Sequence, residues 1–181
     1  MTSEAPVLIL TGPPGVGKST TARILATRST RAVHLEADLF FDFIRSGFVE
    51  PWNPESHDQN TLVMRIVAGA GAAYAAGGYF TVVEGIFIPG WFLGPVHESL
   101  RQAGHPVGYA VLRAPLATCV SRAGERATQP VADREVLERL WHDFADLGPL
   151  ERNVIDIETK SPDEAANLVA ERFADGSLTL R

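Results

Sequence analysis

The chain alternates short apolar runs with longer amphipathic stretches. Val7-Leu8-Ile9-Leu10 is a continuous apolar run, the pattern of a strand buried on both faces of a sheet, and it predicts a first strand over about 7–11. A helix is expected over about 20–28, after a glycine-rich turn. Further strands are expected at 32–36, 80–84, 107–112 and 153–157. Between them the pattern predicts a short helix over about 38–46, an irregular stretch to Ser56 with Pro51, Trp52 and Pro54, and an alanine-rich helix over 57–76. Gly77-Gly78 ends that helix, as glycine does past a C-terminus. A helix over about 91–103 follows the third strand, and Pro115 opens another that runs to about Arg126. Thr128 to Ala132 reads as a break, and Asp133 as the cap of a helix reaching about Leu147. Ser161-Pro162-Asp163-Glu164 has the serine cap, first-turn proline and N3 glutamate of a strong helix start, and residues 177–181 read as a tail.

Five strands alternating with helices predict an α/β fold with a parallel sheet covered on both faces, in a single domain over 1–181. In such sheets ligands bind beyond the carboxyl ends of the strands. The residues that follow each strand therefore hold the chemistry. Gly12-Pro13-Pro14-Gly15-Val16-Gly17-Lys18-Ser19-Thr20 fits G-x-x-x-x-G-K-[ST], the phosphate-binding P-loop, and lies between a predicted strand and a predicted helix. Backbone N–H groups and the helix dipole there form an anion site. Lys18 is the point charge for β- and γ-phosphates, and the Ser19 hydroxyl is placed to bind Mg²⁺.

Composition narrows this picture. The 181 residues carry a net charge of −6 and 45% hydrophobic residues, which fits a globular domain and argues against a broad nucleic-acid surface. The single cysteine, Cys119, excludes an internal disulfide and reads as apolar filler. Val7 to Leu10 is too short for a signal or membrane segment, so a cytoplasmic protein without membrane partner is expected.

After the second strand, Asp38 faces the same crevice as the P-loop. A carboxylate there can accept the proton of an attacking hydroxyl, hold Mg²⁺ through water, or cap the helix it begins. Glu36 shares its strand parity. Asp42, one turn on, is a substrate candidate or a solvated charge. The third strand ends in Glu84-Gly85, an acid placed to orient Mg²⁺, its water, or a substrate hydroxyl. Arg113, Arg122 and Arg126 follow the fourth strand. Arg122 and Arg126, four apart, share a helix face that an anion between them would favour, although pairing with Glu125 or plain solvation is the simpler reading. With the break after them, they suggest a small helical lid over about 120–135 that closes on ATP.

Together these residues resemble the small P-loop kinases: shikimate, gluconate, adenylate and chloramphenicol-phosphotransferase-like enzymes, zeta-toxin-type kinases, and AAA-type ATP-binding small kinases. The P-loop, the aspartate after strand two, the Glu84-Gly85 strand end and the Arg113-Ala114-Pro115 helix start carry the resemblance, which covers about 6–174. It implies a three-layer P-loop NTPase fold with strand order 2-3-1-4-5, ATP with Mg²⁺, and phosphoryl transfer to a small acceptor. It also implies that Asp38 is the catalytic or substrate-binding acid, that Arg122 and Arg126 are lid arginines, and that the loop after strand five, with Thr159 and Lys160, lies near adenine.

The acceptor side is expected within about 37–100. That span holds only Arg45 and Arg65 as basic residues against seven carboxylates, too few for an arginine clamp on a phosphorylated or acidic acceptor. Trp52, Phe87 and Trp91 sit in loops or at a helix start, where a pocket forms, whereas Phe40 and Phe43 read as core. His57, beside Asp58, is a further pocket candidate. The expectation is an ATP-dependent kinase, monomeric or homodimeric, acting on a hydroxyl of a neutral or cationic small molecule such as an antibiotic, amino sugar or nucleoside. The alternatives are a nucleoside or nucleotide salvage kinase, and a non-catalytic ATP-binding switch.

Overall fold

The computed structural model describes residues 5–124 and 134–180. Five parallel strands, β1 (Val7–Thr11), β2 (Ala32–Glu36), β3 (Phe80–Glu84), β4 (Val107–Arg113) and β5 (Val154–Asp156), form one sheet in the order β2-β3-β1-β4-β5. This is the doubly wound arrangement of the P-loop NTPases, with helices on both faces.

The alternation of side chains along β1 divides the core. Val7 and Ile9 point into one apolar layer, with α2 (His57–Ala76) and α3 (Leu93–Gln102). Leu8 and Leu10 point into the other, with α1 (Lys18–Thr27) and α6 (Pro162–Ala174). All four side chains are fully buried, which is why β1 carries no polar position until Thr11. The remaining helices, α4 (Leu116–Gly124) and α5 (Arg134–Asp143), follow β4. Among the described residues no helix is long and apolar enough to cross a membrane.

The helix α6 starts as read. Ser161 accepts from the Glu164 N–H while the Glu164 carboxylate accepts from the Ser161 N–H, a complete capping box. Other elements depart from expectation. The segment after β2 is a 3-10 helix, Ala37–Phe43, that stops before Ile44. Phe43, expected in the core, is 72% exposed and meets Phe40 edge-on at its rim. The helix α5 ends at Asp143, and a further 3-10 helix, Gly148–Asn153, takes up the rest of the connection. Arg126, the break at 128–132 and the cap at Asp133 lie outside the described residues.

The expected tail is structural. β5 pairs only with the Val111-Leu112-Arg113 end of β4. The other half of that strand's edge is covered by the C-terminal segment: the Tyr109 N–H donates to the Leu178 carbonyl and the Leu180 N–H to Val107. Leu178 is wholly buried, and the Asn153 amide donates to both Tyr109 and Leu178, tying the two cover segments together. A short β5 leaves backbone groups that something must pair, and these residues pair them.

Candidate active site

The P-loop is built by close backbone approach. Gly15 has φ +79°, and a Cβ there would lie 2.1 Å from the Cys119 carbonyl oxygen of α4. Gly12, at φ +145°, would bring one within 2.3 Å of the Leu112 carbonyl. Only glycine lets the loop pack this tightly between β4 and α4. Cys119 is correspondingly buried, and burial pushes its thiol pKa up, as suits filler rather than a nucleophile. Gly17 caps α1 and no side chain occupies that cap, so the helix N-terminus opens toward the loop.

Lys18 is 5% exposed, and its Nζ donates to the Pro13 carbonyl at 3.3 Å, folding the ammonium back over the loop. Beside it lies Glu84, the last residue of β3, also 5% exposed. Burial acts most strongly on this carboxyl and would raise its pKa. The hydrogen bond with His34, the charge of Lys18 and a hydrogen bond from Ser19 together outweigh burial, and the group is held below the usual carboxylate range. The ionised carboxylate is thus joined to both P-loop side chains expected to serve phosphate and metal. Two hard oxygen donors, the Ser19 hydroxyl at the start of α1 and the Glu84 carboxylate at the end of β3, with the Lys18 ammonium acting on the same carboxylate, suit a Mg²⁺ ion held largely through water.

His34 was missed as a site residue. Its ring lies 3.4 Å from Glu84 and 4.0 Å from Glu36, so the middle of β2 and the ends of β2 and β3 form one polar cluster. The signal available was strand parity, which puts His34 and Glu36 on one face of β2 next to Glu84.

Asp38 is exposed in the first turn of the 3-10 helix directly after β2, with Asp42 exposed one turn on. Arg122 and Lys160 line a cavity of about 180 Å³ with Val16, Gly17 and Thr20, so the end of α4 and the loop after β5 both reach the P-loop. Thr159 is exposed and does not line it. Arg113 turns away. Its guanidinium donates to the Phe144 carbonyl at 2.6 Å and pairs with both Glu151 oxygens, at 2.7 and 2.9 Å.

On the acceptor side, Trp52, Trp91 and His57 line a second, larger cavity. Phe87 does not. Its N–H donates to the Thr11 hydroxyl and its carbonyl accepts from the Tyr109 hydroxyl, both at the sheet centre, and the ring is wholly buried in the core. The expectation that Phe87 touches substrate is therefore corrected. Asn60, Arg139 and Asp143, not anticipated, complete the cavity wall.

The profile of the family described as an AAA domain matches residues 7–147. Comparison with curated proteins gives no match. Among solved structures, an unliganded sugar kinase from Janibacter sp. HTCC2649 is 18% identical, over 94% of this chain and 95% of that one, with a TM-score of 0.69. The Deinococcus radiodurans tunicamycin resistance protein is 20% identical, over 93% and 95%, with a TM-score of 0.71. The Mycobacterium tuberculosis APS kinase CysC, in complex with AMPPNP and APS, is 16% identical, over 94% and 98%, with a TM-score of 0.68. At these identities the likeness is one of fold.

Proposed function

This chain belongs to the AAA domain family, and on that premise we propose that it is an ATP-dependent kinase that moves the γ-phosphoryl group onto a hydroxyl of a neutral or cationic small molecule. The observation that carries the reading is the glycine-built P-loop between β1 and α1, with Lys18 buried in it and the buried Glu84 carboxylate at the end of the neighbouring strand β3. The names of its structural neighbours, a sugar kinase and an APS kinase in complex with AMPPNP and APS among them, favour nucleotide-dependent transfer over a passive switch.

In this reading the residues from Gly12 to Thr20 cradle the nucleotide phosphates. Lys18 and Arg122 offset the charge that spreads over the transferring group. Asp38 accepts the proton of the acceptor hydroxyl as its oxygen bonds to the γ-phosphorus and the bond to the ADP oxygen breaks. Ser19 and Glu84 would hold Mg²⁺, which supplies Lewis-acid neutralisation of the phosphates. Lys160 borders the nucleotide, with Thr159 beside it in the same loop. Arg126, by the family resemblance, is a second lid arginine. Asp42, Trp52 and Trp91 belong to the acceptor side.

Incubation with labelled ATP, MgCl₂ and a panel of nucleosides, sugars, amino sugars and hydroxylated antibiotics tests the proposal. The expected result is a labelled acceptor formed with ADP and lost in Lys18→Ala. Nucleotide hydrolysis with no labelled acceptor across the panel would favour the switch and overturn the kinase reading.

A further inference from the structure

A cavity of about 290 Å³ lies between residues 51–60, Trp91 and α5. Its walls come from the connections that follow β2, β3 and β4, as the P-loop follows β1. That is the edge of the sheet where ligands of this architecture bind. The volume is close to the lower end of small-molecule sites, room for one ring and its substituents.

The informative residue in it is Asn60, 2% exposed. Its Nδ2 donates to the Pro51 carbonyl at 2.8 Å and to the Ser56 hydroxyl at 2.9 Å. The Pro51 carbonyl can only accept. The single Ser56 proton is already directed at the Pro51 and Asn53 carbonyls, at 2.9 and 2.7 Å. A flipped amide would set oxygen against oxygen, so the orientation is fixed by its neighbours. The consequence is that Oδ1 is buried without a hydrogen-bond partner among the described residues. A buried carbonyl left unsatisfied in this way is uncommon and costly. Its residue lines a cavity whose other walls include two indoles, Trp52 and Trp91.

The charges at the rim complete the pattern. Arg139 and Asp143 are four apart on one face of α5, opposite in sign, and both border the cavity with His57. A phosphate or carboxylate on the ligand would meet a single arginine with a carboxylate on the same helix face, not a clamp. A ligand hydroxyl or amine that reached Asn60 would give the buried Oδ1 the donor it lacks, and the apolar face of a ring would lie against the indoles.

We propose that this cavity is the acceptor subsite and that Asn60 Oδ1 sets its specificity, accepting a hydrogen bond from a hydroxyl or amino group, other than the reacting hydroxyl, of an uncharged or cationic ring compound. The proposal rests on the kinase reading given above. It makes Asn60 a specificity-determining residue and excludes phosphorylated acceptors.

Calorimetric titration, which needs no turnover, tests it with D-glucosamine and uridine against glucosamine 6-phosphate and uridine 5′-monophosphate. At least one uncharged or cationic probe is expected to bind, with its phosphate about tenfold weaker or worse. Asn60→Leu is expected to weaken that binding about tenfold while leaving AMPPNP affinity unchanged. Because Asn60 also holds residues 51–56, a matched probe lacking the donor, 2-deoxy-D-glucose against D-glucosamine or 2′-deoxyuridine against uridine, separates contact from collapse. Its loss should appear in the wild type and vanish in Asn60→Leu. Binding by none of the unphosphorylated probes, equal binding of the phosphates, or an unaltered Asn60→Leu overturns the subsite. Labelled phosphoryl transfer with an acceptor KM unchanged in Asn60→Leu would also overturn it while leaving the kinase reading intact.

Discussion

Glu84 Oε2 lies 3.4 Å from Nε2 of His34, a contact between neighbouring strands that joins the end of β3 to the interior of β2. The imidazole reaches Glu84 from the neighbouring strand, while Ser19 and Lys18 act on the same carboxylate. On the kinase reading proposed above, His34 would be a positioning residue that orients the carboxylate meant to steady Mg²⁺. His34→Ala is expected to lower kcat about 10- to 100-fold, the usual cost of losing such a support, with acceptor KM nearly unchanged. His34→Gln keeps an N–H donor and should restore most of the rate. Equal kcat in His34→Ala and the wild type would remove His34 from the machinery.

Asp38 offers a different separation. It stands in the first turn after β2, exposed, where an incoming hydroxyl can reach it. Asp38→Asn keeps the shape and removes the proton acceptor. The expected outcome is a fall in kcat of about 10²- to 10⁴-fold with AMPPNP affinity within about twofold of the wild type. A parallel loss of nucleotide affinity would assign Asp38 to metal binding instead.

The glycines of the P-loop differ in what surrounds them, and their variants should differ too. A Cβ at Gly15 meets the Cys119 carbonyl at 2.1 Å, whereas one at Gly17 meets nothing within 4 Å among the described residues, although both have positive φ. Gly17→Ala therefore carries backbone strain alone, about 1–3 kcal/mol. Gly15→Ala carries the same strain and must also push α4 from the loop, so its melting temperature should fall further and its nucleotide binding weaken more. The order of the two melting temperatures is the check.

Which parts of this site could be read in advance follows from how local their causes are. The β1, loop and α1 unit is written in the consecutive positions 7–27, and its apolar run, glycines and Lys18-Ser19 pair each act on near neighbours. The capping box at Ser161 is local in the same way. Phe87 was misplaced because its position is decided by Thr11, 76 residues away, and Tyr109, 22 away. The tail was misread because its task, covering half of β4, exists only once β5 proves too short. Asn60 sits on an otherwise ordinary helix, α2, and its significance depends on two acceptors from the preceding segment. Phe43 carries the residue type of a core position, but a 3-10 helix replaces the expected helix there and turns it outward.

Arg113 and Glu151 fasten the end of β4 to the 3-10 segment before β5, and their pairing sets an expected pH dependence. The hydrogen bonds from Arg113, then the one from the Leu147 N–H, hold the Glu151 carboxyl down at about 2 against an ordinary 4.5. A depressed folded-state pKa means that the unfolded chain binds the proton first as pH falls. The stabilisation is thus complete above about pH 4.5 and is lost between there and about pH 2. The Glu151 side chain is 42% exposed and solvent screens the pair, so its worth is about 1 kcal/mol rather than what the full shift would imply. Glu151→Gln should accordingly melt a few degrees below the wild type at pH 7, with the gap narrowing through pH 4 and closing near pH 2. Thermal melts of both proteins across that range make the comparison, and a gap that is constant with pH would mean that the glutamate acts by packing and not by its charge.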